Sequence, residues 1–147
     1  MKKILMIIVL MLLISPCFAS GVGYINYEKV AAEYLFAKKS MQEIETKARE
    51  IDQYLRAKEA EFAKLETPLQ KQKFQETVQA EMKTKETAFN DFRIKREDEV
   101  YARIHAVAEK VRLEKGLDIL LDARGVFSGG VDITEELIKK LNANGIR

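Results

Sequence analysis

Along the first half of the chain the apolar residues advance by four positions, then three, then four again. Val30, Tyr34, Ala37, Met41, Ile44, Ala48, Ile51 and Leu55 keep this rhythm, Lys58 breaks it, and Phe62 and Leu65 resume it. Ten of these eleven positions obey a strict seven-residue repeat. Such a repeat holds one apolar stripe toward a partner helix over its whole length, so the pattern predicts a coiled-coil arm. Mixed charges fill the positions between, which places them in solvent. A chain built around an arm of this kind reads as a mechanical or holding device and not as an enzyme.

The remaining elements follow from the same pattern. Val22, Gly23, Tyr24 and Ile25 read as a short strand. Asn26 then caps a helix that begins at Tyr27 or Glu28 and runs to about Glu66. Roughly 38 residues at 1.5 Å each make an arm of about 57 Å. Leu35 and Phe36 fall off the stripe, which predicts a local break within Phe36 to Ser40. Thr67-Pro68-Leu69-Gln70 places a capping residue, a helix-opening proline and an N3 glutamine in order. It predicts a tight reversal with a second helix from Pro68 to about Lys115. The alternative, one long helix kinked at Pro68, leaves the first apolar stripe without a partner.

The second arm carries a looser set: Phe74, Val78, Met82, Phe89, Phe92, Val100, Ile104, Val107 and Val111, interrupted at Lys85 and Arg96. Lys115-Gly116 ends it with a cation and a glycine cap. Beyond lie a strand at Leu117 to Leu121, a turn at Ala123-Arg124-Gly125 and a further strand at Val126-Phe127-Ser128. Gly129-Gly130 forms a flexible joint. Asp132 and Glu135 make a second capping box, opening a short helix Ile133 to Asn142 with Leu137, Ile138 and Leu141 on one side.

The expected fold is α+β and mostly α: a long antiparallel helical hairpin, residues 28–115, on a small β-rich body of residues 20–27 and 116–147. Three short strands and one small helix cannot make a full core alone, so the body requires further copies of the chain. The residues expected to join the copies are Tyr24, Ile25, Leu117, Ile119, Leu121, Val126 and Phe127.

The first nineteen residues stand apart. Lys2 and Lys3 precede an apolar run from Ile4 to Ile14, and small residues at Cys17 and Ala19 mark a cleavage site. This is the pattern of a secretory signal peptide cut after Ala19. The run is shorter than the ~20 residues a spanning helix needs. Pro16 stands before Cys17, where lipidation wants a small flexible residue.

Cleavage leaves 147 − 19 = 128 residues and removes Lys2 and Lys3, so 23 basic residues face 23 acidic ones. A formally neutral chain lacks the basic face that nucleic acid demands. Cys17 is the lone cysteine, so the mature chain holds neither disulfide nor thiolate chemistry. His105 is the lone histidine, and no metal, cofactor or catalytic constellation is expected.

The order of strand, long helix out, reversal, long helix back, strands and short helix resembles the Skp-type, or OmpH-like, periplasmic chaperones. The residues that carry the resemblance are Gly23-Tyr24-Ile25-Asn26, the segment Glu114 to Asp122, and Val131-Asp132-Ile133-Thr134-Glu135-Glu136-Leu137. The resemblance implies a homotrimer whose strands form a central β-barrel, with three hairpins hanging as tentacles round a cavity. It implies an ATP-independent holdase for unfolded outer-membrane β-barrel proteins, located in the periplasm. The alternative for a coiled-coil envelope protein is a structural scaffold that binds folded partners.

Better-known members of that family are strongly basic. Here residues 28–115 carry nineteen basic and eighteen acidic side chains, which puts lipopolysaccharide and membrane contact in doubt. Holding would then rest on apolar contact. The candidate client-binding residues, apolar groups off the main stripe, are Leu35, Phe36, Tyr54, Phe74 and Ile94.

Overall fold

The computed structural model describes residues 21–143. The expected signal peptide, residues 1–19, lies outside them. Strand β1 spans Gly21–Ile25, and helix α1 follows at Tyr27–Glu33. Asn26 caps α1, its Oδ1 accepting from the Lys29 N–H at 2.9 Å. Helix α2, Leu35–Phe62, makes the outward arm, and α3, Pro68–Glu114, the return. Strand β2 is Leu117–Asp122, β3 is Val131–Asp132 and helix α4 is Thr134–Ala143.

The reversal between the arms forms as its residues dictate. Thr67 Oγ1 accepts from the Gln70 N–H, and the Gln70 side chain accepts from the Thr67 N–H. At 1.5 Å per residue, α3 is about 70 Å long. It ends at Lys115, with Gly116 in the left-handed region (φ 64°) where a side chain would be strained.

The break in the outward arm falls at Tyr34, two residues before the expected segment. Tyr34 is extended (ψ 118°) between α1 and α2. Asn142 of α4 bridges the gap: its Oδ1 accepts from the Leu35 N–H at 2.9 Å, and its Nδ2 donates to the Glu33 carbonyl at 3.2 Å. A distant side chain thus supplies the bonds that the interrupted helix lacks.

The sheet is parallel throughout, in the order β2-β1-β3. Val126-Phe127-Ser128 is not a strand. Asp122 Oδ1 caps a 3-10 turn at Ala123–Gly125 by accepting from the Arg124 N–H. The chain then passes to the far side of β1, and Gly129 and Gly130, both at positive φ, lead it into β3. Val126 and Phe127 are left without a pairing strand. The second capping box also differs. Asp132 Oδ1 accepts from the Thr134 N–H and hydroxyl, while Thr134 Oγ1 accepts from the Asn26 N–H. Glu135 pairs with Lys29 instead.

The core is larger than strands and short helix alone would allow, because the feet of both arms belong to it. Ile25, Val30, Tyr34, Phe36, Ile104, Ala108, Val111, Leu117, Ile133, Leu137, Ile138 and Leu141 form one cluster. Ile133, Leu137, Leu141, Val30 and Val111 are sealed completely. Full burial of each such side chain stabilises by about 1.5–3 kcal/mol. Gly23 lets β1 lie close: a Cβ there would stand 2.6 Å from Leu117 Cδ1.

Candidate functional site

Two regions present apolar surface: the hairpin and one face of the sheet. In the hairpin the contact between α2 and α3 keeps most of the expected stripe but is shifted toward one flank. Phe36 and Ser40 are buried against the return arm, and Glu43, Ile44, Ile51, Tyr54, Lys58, Phe62 and Leu65 are half-buried. Met41, Ala48 and Leu55, three members of the seven-residue repeat, are exposed. Between residues 41 and 103 no residue is buried.

Rings and cations fill this seam. The Arg103 guanidinium lies 4.0 Å from the centre of the Phe36 ring, and Arg96 is 6.0 Å from the same ring. Arg96 also stands over Phe92, as does Lys47 at 5.0 Å. Farther out, Lys85 and Lys58 lie over the Tyr54 ring at 4.5 and 5.6 Å, and Lys58 also over Phe74. Lys71 caps Phe62, whose ring meets Phe74 at 6.1 Å. Lys85 and Arg96, which interrupt the apolar pattern of α3, are therefore part of the seam through their stems and charges.

Cross-arm polar contacts tie the rings in place. Tyr54 donates to Glu81, and this bond pushes the phenol pKa up to about 12. Arg96 pairs with Glu43 of α2 and with Glu99 of its own helix, and these partners hold its guanidinium firmly charged. Ser40 Oγ and Arg96 Nε are buried at this level without a hydrogen-bond partner.

The candidate client residues thus divide. Phe36, Tyr54 and Phe74 are occupied in the contact between the arms. Leu35 and Ile94 are exposed, at 47% and 50%. Sequence reasoning missed the exposed side of α2, because the same repeat that marked it also marked it as a buried seam. That side opens into two grooves. One, of 590 Å³, lies at the foot of the arm between Ala37, Met41 and Ile44 of α2 and Val100 of α3. The other, of 330 Å³, lies toward the tip, among Leu55, Phe62, Phe74 and Val78, with Gln75 and Gln79 beside them.

The sheet has one face against the helices and one without cover. Val22 and Ile119 lie opposite each other on β1 and β2, as do Tyr24 and Leu121. Val22, Ile119 and Leu121 are 37%, 47% and 37% exposed, and Phe127 is fully exposed in its turn. Ile25 and Leu117, expected with them as joining residues, are instead buried inside the chain at 8% and 6%. Alternation along a strand sends neighbours to opposite faces, and the helices take the side of Ile25 and Leu117.

Among the described residues no cluster of His, Cys, Asp and Glu could hold a metal ion, and no helix is long and apolar enough to cross a membrane. His105 stands beside Tyr101, ring centres 6.0 Å apart.

A family model described as outer membrane protein (OmpH-like) matches residues 21–141, nearly the whole of the described chain. A search of curated proteins finds no match. The protein belongs to the OmpH-like family, whose members are periplasmic chaperones of outer-membrane proteins.

Proposed function

We propose that this protein is an ATP-independent holdase, exported to the periplasm by a cleaved signal peptide. It works as a homotrimer that keeps unfolded outer-membrane proteins from aggregating in transit. The uncovered apolar sheet face carries this reading. Val22, Ile119 and Leu121 are exposed on one face of the sheet with the half-buried Tyr24 beside them, and among the described residues each outer strand has one unpaired edge. Such a patch is an interaction surface by default, and open edges invite further strands. Copies joined there carry their hairpins into a common space, which the arms enclose. The body is residues 20–27 and 116–147 with the feet of both arms, and residues 28–115 are the tentacle.

Two measurements test it. Sedimentation of the mature protein is expected to give a trimer. Ile119→Asp puts a charge on the joining face and is expected to give monomers with the helical signal retained. A trimer that survives this change places the interface elsewhere. Light scattering reads the holding itself, as an outer-membrane protein is diluted from urea without nucleotide. Aggregation is expected to fall, and to stay low as salt rises, because the arm charges nearly cancel. Binding of folded partners with no effect on the unfolded client would favour a scaffold instead.

A further inference from the structure

Among the described residues the open side of α2 has no partner. Met41, Ala48 and Leu55 follow at seven-residue steps, so they keep to one side of the helix about 10.5 Å apart. Met41 and Leu55 are 57% and 36% exposed. The facing wall on α3 is Glu97 and Val100 at the foot, and Gln75, Val78 and Gln79 toward the tip. We infer that the flank of α2 carrying Met41, Ala48 and Leu55, with a groove at either end, is the bed for one extended segment of an unfolded outer-membrane β-strand.

Charge, polarity and length favour that occupant. The charges lining the two grooves are Lys38, Arg96 and Lys58 against Glu45, Glu97 and Glu59, so they cancel. A phosphate-bearing ligand finds no excess of cations there, whereas an uncharged apolar chain meets no penalty. Strands of membrane barrels alternate apolar and polar side chains, so one face of such a segment is apolar along its whole length. The amides of Gln75 and Gln79 are exposed and can both give and accept hydrogen bonds from an extended backbone. From Met41 to Leu55 is about 21 Å, the length of about six extended residues. A barrel strand of 9–11 residues therefore overfills the bed and leaves its ends for other arms. Methionine suits a site that must accept many sequences, because its thioether chain reshapes easily.

This inference rests on the holdase reading, and the test separates the two. A photo-crosslinking side chain is placed at Met41, at Leu55 or at Ala88, which lines a different groove with Phe89 and Phe92. The mature oligomer is mixed with a urea-unfolded outer-membrane β-barrel protein and irradiated. Client crosslinks are expected from Met41 and Leu55, with few from Ala88 and none when the client is already folded. In parallel, Met41→Gln with Leu55→Gln is expected to weaken client affinity about tenfold, which corresponds to about 1.4 kcal/mol. Both positions are exposed, and an unchanged circular dichroism melt checks that the fold is kept. If the double variant melts early, the crosslinks alone decide. A client that is held but crosslinks chiefly at Ala88 overturns the placement while the holdase reading stands. Crosslinks from Met41 and Leu55 to another copy of the chain also overturn it. If the wild type holds no client, both readings fall.

Discussion

The foot of the hairpin, where α1 meets α3, and its outer two-thirds, where α2 meets α3, are built by different means. At the foot, Val30, Ile104 and Val111 join Ile133, Leu137 and Leu141 in an aliphatic core sealed from water. Beyond Ser40 and before Ile104, nothing on either helix is buried. There the arms meet through rings under cations and through cross-arm bonds such as Tyr54 to Glu81. Burial of aliphatic surface is non-directional but strong in sum, and it fixes the base. Cation–ring contacts at exposed sites contribute about 0.5–1 kcal/mol each and survive small sliding of one helix along the other. The difference separates a firm base from an arm held by weaker contacts, which is expected to be the more compliant of the two.

The largest expected effect lies in the base. Leu137→Ala removes a fully buried side chain and is expected to cost about 2–5 kcal/mol, read as a lower unfolding midpoint in urea. An unchanged midpoint would mean that the base is no firmer than the arm. A much smaller effect is expected outward. Tyr54→Phe keeps the ring under Lys58 and Lys85 but removes the bond to Glu81. Its cost is small, and it should appear as faster amide exchange in mid-arm with the unfolding midpoint nearly constant. A large drop in the midpoint would show that the arm and the base unfold as one.

The sequence showed the order of elements because each boundary has a local cause. Asn26, the Thr67–Gln70 box and the Lys115-Gly116 stop are all formed where their residues stand. The break in the arm was visible in Leu35 and Phe36, but its exact site was not. Tyr34 is held open by Asn142, more than a hundred residues away. The apolar repeat was real and most of it lies in the seam, but Met41, Ala48 and Leu55 turn outward while Phe36, Ser40, Glu43 and Tyr54 take their side of the contact. Counting apolar residues ignores the stems of Lys58, Lys85 and Arg96, which here pack between the arms as rings' partners. Val126 and Phe127 carry strand chemistry with no strand beside them in this chain, and a single sequence does not say where a segment finds its partner. The division of the joining residues, with Ile119 and Leu121 outside and Leu117 inside, was hidden by an irregularity between Gly21 and Val22 in the pairing of β1 with β2.

The most direct test of the division between firm base and compliant arm is native-state amide hydrogen exchange on the intact mature protein. Amides at Val30, Val111 and Leu137 are expected to exchange only on global unfolding. Those between Ile44 and Val100 should exchange by local opening, at least about tenfold faster, a gap of about 1.4 kcal/mol or more. Equal protection from the sheet to the middle of the arm would contradict the account.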